Sequence, residues 1–112
     1  LSLIMKLSTS EINVLFKALQ DGYRNYDDLK IMVRLKLGEN LAEIVQPDQK
    51  IDIVILELIE WAESKDKLLD LVWGANERNP DNDQIKKVSY SFEGVIKRRT
   101  ASDITFSYNP LL

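Results

Sequence analysis

The chain has 112 residues, of which 45% are hydrophobic and 29% charged, with a formal net charge of -3. That length gives a single domain able to bury roughly two-thirds of its extended-chain surface without covalent staples. Cysteine and histidine are both absent, which excludes a disulfide framework, a thiolate metal site, a Cys nucleophile and a His general base, while the negative balance argues against nucleic acid as the main partner.

The first residues, Leu1–Met5, are too few for a signal segment or a membrane span. Met5-Lys6 resembles a natural start, with Leu1–Ile4 either a remnant or an upstream fragment, and a cytoplasmic protein is expected. Ser8-Thr9-Ser10-Glu11 forms a capping box, a Ser cap with Glu at the third helical position. Ile12, Leu15, Phe16 and Leu19 then repeat at helical spacing, and Asp21-Gly22 stops that first helix with Gly in the left-handed conformation. Asn25 caps a second helix, with Asp27 and Asp28 near its positive end and Leu29, Met32, Val33 and Leu37 as its buried stripe; Gly38 ends it. Asn40 caps a short third helix, Leu41–Val45, which Pro47-Asp48 breaks.

The stretch Ile51–Glu63 is the most apolar in the chain and has neither Gly nor Pro. Ile51, Val54, Ile55, Leu58, Trp61 and Ala62 fall on one helical arc, and Asp52, Glu57, Glu60 and Glu63 on the other. Ile53 and Leu56 sit among the acids, so either this central helix is covered on more than one side or those two residues face a partner. Ser64-Lys65-Asp66 makes a corner, with Asp66 as cap for a fifth helix over Lys67–Asn76, in which Trp73 is expected to fill core. Asn79-Pro80-Asp81-Asn82 is turn chemistry, and a sixth helix runs from about Asp83 to Phe92. The four glycines, Gly22, Gly38, Gly74 and Gly94, are assigned to helix ends. Ser89–Phe92 and Ile104–Tyr108 alternate with period two, as strands do. The stretch 93–112, with its basic run Lys97-Arg98-Arg99, is read as a linker or extension beyond a domain over 7–92. The fold class is all-α: a compact antiparallel bundle of six short helices with an irregular C-terminal tail.

Charge is unevenly placed. Residues 1–37 carry six bases and four acids, residues 38–83 four bases and twelve acids, and residues 84–112 five bases and two acids. Lys30, Ile31, Arg34 and Leu35 on the second helix, and Asp52, Ile53, Leu56, Glu60 and Glu63 on the central one, each mix apolar with ionised groups as protein interfaces do. These nine residues are the candidate interaction site, with a basic face on one copy set against an acidic face on the next. The plainer alternative is that neighbouring helices cover the four apolar residues and solvent covers the charges. No metal-ligand spacing, P-loop, nucleophile elbow or dinucleotide fingerprint occurs, so no catalytic residue, no metal and no cofactor is expected.

Three segments resemble the bacterial effector-associated domain of the first type. Arg34-Leu35-Lys36-Leu37-Gly38-Glu39-Asn40-Leu41-Ala42-Glu43-Ile44-Val45 is similar to its RxxLGxNLxxI segment, Val54–Glu63 to its xxLIxWAE helix, and Asn79–Asn82 to its NPxN turn. Order and spacing agree from about Leu7 to Ile85. The chain departs from the family's pattern in having Ser64-Lys65-Asp66 where a Gly corner is usual, and Tyr23-Arg24-Asn25-Tyr26 at the lead-in to the second helix. The resemblance implies a death-like helical fold in which Leu37, Leu41, Ile44, Leu58 and Trp61 are core, Gly38 a helix end and Asn40 a cap. It implies an adaptor in bacterial immunity or signalling, without enzymatic activity, that oligomerises or recruits effectors through another effector-associated or death-like domain. That partner is itself or is fused to a peptidase, a TIR domain or a nucleotide-binding ATPase; no membrane is involved. The alternatives are a small helical nucleic-acid-binding module using Lys30, Arg34, Lys36 and the basic tail, or a regulatory scaffold subunit.

Overall fold

The computed structural model describes the backbone of residues 6–46 and 48–104, and the side chains of 6–46, 48–92 and 94. Leu1–Ile4, Met5, Pro47 and the strand-like positions 105–108 lie outside the described residues. Six α-helices follow one another: α1 (Thr9–Gly22), α2 (Tyr26–Met32), α3 (Leu41–Ile44), α4 (Ile51–Ser64), α5 (Leu68–Arg78) and α6 (Asp83–Ile104), with a π-helical turn over Val33–Leu37 continuing α2. Among the described residues there is no strand. The elements pack as a helical bundle, the all-α class expected.

Local chemistry sets the helix starts. The Ser8 hydroxyl accepts the Glu11 N–H at 3.1 Å while the Glu11 carboxylate accepts the Ser8 N–H at 2.8 Å, so the capping box is complete. Asn25 Oδ1 accepts the Asp28 N–H at 2.9 Å, and Asn40 Oδ1 accepts the Ala42 N–H at 3.1 Å. Each satisfies a backbone donor that the helix itself leaves unpaired.

The core is centred on α4. Val54, Ile55, Leu58, Ile59 and Ala62 are all fully buried, and Ile51 and Trp61 pack against them half-buried. Ile59 lies outside the expected arc, and its burial widens the buried face of α4 to about 140°. Helices α1, α3 and α5 pack around it. Leu7 donates its N–H to Glu63 Oε2 at 2.7 Å, and Gln20 Nε2 donates to Asp52 Oδ1 at 2.8 Å. These two bonds fix α1 antiparallel to α4 at both ends. From α1 the core takes Leu15, Ala18 and Leu19, and from α2 Leu29 and Met32.

The motif Asn79–Asn82 joins three helices. Asn79 Nδ2 donates to the Gly22 carbonyl at 3.0 Å, and Asn82 Nδ2 donates to Asp21 Oδ2 at 2.9 Å. Asn82 Oδ1 also accepts the Ile85 N–H at 2.9 Å, which caps α6. Gly22 is not left-handed as expected but part of α1; a Cβ there would collide with the Ile85 side chain, so Gly serves close approach. Tyr23, just beyond, buries its ring and donates its hydroxyl to the Ala75 carbonyl at 2.8 Å. Burial raises the Tyr23 pKa to about 12, which keeps the phenol a donor.

Several expectations are corrected. Asp66 does not cap α5. It adopts φ 58°, and Lys67 donates its N–H to the Ala62 carbonyl at 2.8 Å, a Schellman closure of α4 with Asp66 at the left-handed position. The backbone there takes the form a Gly corner would favour, although the residue is Asp. Lys67 begins α5 without a side-chain cap. Trp73 is 45% exposed and does not fill core. Gly74 lies within α5, and a Cβ on it would sit 2.6 Å from Lys36 Cβ, so the π-turn crosses α5 at Gly74. Gly94 lies within α6, which runs on to Ile104. The period-two pattern at Ser89–Phe92 yields to a helical one, because Ile85, Val88, Ser89 and Phe92 are the buried positions.

Leu58→Ala is expected to lower stability by roughly 2–5 kcal/mol, the range for deleting a buried Leu side chain; chemical denaturation checks it, and unchanged unfolding would show that α4 is not the core. Asp66→Gly is expected to raise stability by about 1 kcal/mol, by removing the left-handed cost of a residue with a Cβ. A midpoint that falls would show that the Asp side chain itself holds the corner.

Candidate functional site

The second helix presents two exposed rows. Leu29, Met32 and Val33 are buried and fix its rotation. That places Lys30 and Arg34, one turn apart, and Ile31 and Leu35, also one turn apart, toward solvent. Ile31 is 42% and Leu35 63% exposed, so neighbouring helices do not cover them. The π-turn that carries Arg34 and Leu35 is held from below and from the side. Gly74 admits the Lys36 stem, Lys36 Nζ pairs with Glu77 Oε1 at 3.3 Å, and Gly38 closes the turn at φ 71° with its N–H on the Val33 carbonyl. Only Gly takes that backbone angle without strain.

Lys30 and Arg34 line a cleft of about 450 Å³ between α2 and α3, shared with Gly38, Glu39, Asn40, Leu41 and Glu43. The basic face is therefore bordered by two carboxylates on its α3 side. Glu43 also lines a second groove, with Ala42, Ile44, Val45, Gln46 and Glu57, between α3 and α4. Among the described residues neither Lys30 nor Arg34 has an ion-pair partner.

The central helix presents the other surface. At 3.6 residues per turn, Asp52, Glu63, Leu56, Glu60 and Ile53 fall within an arc of about 100° opposite the buried residues. Ile53 is 43% and Leu56 38% exposed. The acids on this arc are not equivalent. Asp52 is engaged by Gln20, and Glu63, half-buried, accepts the Leu7 N–H. Glu60 is exposed and makes no hydrogen bond or ion pair with a described residue. Two of the candidate acids thus carry structure, and Glu60 stands clear between Ile53 and Leu56.

The structure therefore gathers the nine residues into two stripes, one on α2 and its π-turn and one on α4, separated by α3. Sequence reasoning missed three further exposed apolar side chains, Val14, Trp73 and Tyr90. The helical period places Trp73 beside Gly74, and a glycine inside a helix is the signal of a close crossing that a large neighbour must avoid. Among the described residues no cluster of three or more ligating side chains could hold a metal ion, and no helix is long and apolar enough to cross a membrane.

A family model, effector-associated domain 1, matches residues 5–93. The chain belongs to the effector-associated domain 1 family. Neither a curated protein nor a solved structure matches it. In this effector-associated domain the three resembling segments do structural work. Gly38 ends the π-turn, Asn40 caps α3, Leu41 and Leu58 are fully buried, and Leu37, Ile44 and Trp61 pack half-buried against the core. Asn79 and Asn82 fasten the α5–α6 turn to the end of α1. The two exposed stripes lie largely between these positions.

The inequality of the acids is testable. Glu63→Ala should cost about 1–2 kcal/mol, since it strips a charged acceptor from the part-buried Leu7 N–H. Glu60→Ala, at an exposed site without partners, should stay within about 0.5 kcal/mol of the parent. Equal effects in denaturant unfolding would contradict the assignment of roles.

Proposed function

We propose that this effector-associated domain is a non-enzymatic adaptor of the death-like kind, which recruits effectors in a bacterial conflict or signalling system. Its partner is another effector-associated or death-like domain, homotypic or heterotypic, in the latter case fused to a peptidase, a TIR domain or a nucleotide-binding ATPase. No cofactor takes part, and the site of action is the cytoplasm. The observation that carries this reading is the pairing of exposed apolar side chains with charges on two helix faces. Single exposed hydrophobics are ordinary on a soluble protein. Here Ile31 and Leu35 lie one turn apart beside Lys30 and Arg34, and Ile53 and Leu56 lie one turn apart beside Glu60. Such a mixture suits a protein contact in which the apolar residues hold and the charges orient. Membership of the effector-associated family supports the choice of partner.

The experiment is a calorimetric titration of the purified chain against purified effector-associated or death-like domains encoded by neighbouring genes. Saturable binding is expected, lost in Leu35→Asp or Leu56→Lys, each of which sets a charge in place of an apolar contact. The purified chain should hydrolyse neither peptides nor nucleotides. Turnover abolished by a single carboxylate substitution would contradict the adaptor reading. So would steeply salt-dependent DNA or RNA binding through Lys30 and Arg34.

A further inference from the structure

The two stripes are complementary to each other and not to themselves. On α2 the charges beside Ile31 and Leu35 are Lys30 and Arg34, which among the described residues have no ion-pair partner, with the exposed Asp27 and Asp28 confined to the first turn of the helix. On α4 the charge between Ile53 and Leu56 that no described residue engages is Glu60, because Asp52 is held by Gln20 and Glu63 by Leu7. Pairing the Lys30–Leu35 stretch with itself, or the α4 stripe with itself, would set like charges together, which costs affinity and disfavours that partner. Within one molecule the stripes do not meet, because α3 and its two grooves lie between them. The cleft beside Lys30 and Arg34 carries Glu39 and Glu43 on its far wall, so an incoming carboxylate is drawn to the α2 side of it.

Resting on the adaptor reading, we propose that the α2 stripe of one copy packs on the α4 stripe of a second copy, head to tail. Ile31 and Leu35 meet Ile53 and Leu56, and Lys30 and Arg34 face Glu60. Such a pair keeps one stripe of each kind unused, α4 on one copy and α2 on the other, so the contact propagates past a dimer into a ring or an open helical assembly. Each stripe has only two large apolar side chains, which is small against the roughly 800 Å² per partner of a stable interface. A single contact is therefore weak, and assembly depends on local concentration.

Sedimentation velocity on the intact chain, over a range of concentrations and salt, tests this with Arg34→Glu, Glu60→Arg and the double variant. The parent should grow beyond a dimer as concentration rises, and should dissociate as salt screens the pairs. Each single variant, with unchanged far-ultraviolet dichroism and melting, should raise the dissociation constant about tenfold or more, because like charges then face each other across the contact. The double variant should regain assembly, since its reversed charges meet again. Single variants that assemble like the parent, a double variant that stays as weak as they are, or growth that halts at two copies would overturn the proposal. A parent that remains monomeric throughout overturns it too, yet leaves the adaptor reading to be judged separately by its titration against neighbouring domains.

Discussion

Everything in this molecule depends on the burial of one face of α4. Val54, Ile55, Leu58, Ile59 and Ala62 have no exposure to solvent, and each large aliphatic side chain among them contributes about 1.5–3 kcal/mol by leaving water. That burial fixes the rotation of the helix. Once the apolar arc is inside, Ile53, Leu56 and Glu60 have no position left except the surface. The same logic acts on α2, where Leu29, Met32 and Val33 turn Ile31, Arg34 and Leu35 outward. The core and the candidate site are two readings of a single set of helix rotations.

Polar bonds then position the other elements around that core. Glu63 and Asp52 hold α1 along α4, Asn79 and Asn82 bind the α5–α6 turn to the end of α1, and the Gly74 crossing with the Lys36–Glu77 pair seats the π-turn on α5. Most of the residues that carry the resemblance to the effector-associated family hold helices in place, whereas Arg34, which opens the first segment, is exposed and belongs to the α2 stripe.

Much of the fold was legible in the sequence because helix starts are local. The Ser8–Glu11 box and the Asn25 and Asn40 caps each depend on a few consecutive residues, and each forms as the residue types require. The misses involve residues whose conformation is decided from a distance. Asp66 looks like a cap but serves to close α4, and Trp73 looks like core but lies where a crossing element leaves it outside. The run from Ser89 to Phe92 alternates like a strand until the bundle selects its helical period. The site was legible in part. Ile53 and Leu56 stood out because they broke the apolar arc of α4, and the structure leaves both exposed. That Glu63 and Asp52 are engaged and Glu60 is not could not be read from the sequence, since their partners, Leu7 and Gln20, lie far away along the chain.

The account's central claim is that the α2 and α4 stripes are the surfaces through which this domain binds protein. The most direct measurement is a residue-by-residue amide spectrum of the isotopically labelled chain, recorded as unlabelled chain or a neighbouring-gene domain is added. The account predicts that shifts and broadening concentrate at residues 30–35 and 53–60, with α5 and α6 unchanged. Changes centred instead on Trp73 or Tyr90, or spread without pattern through the core, would contradict it.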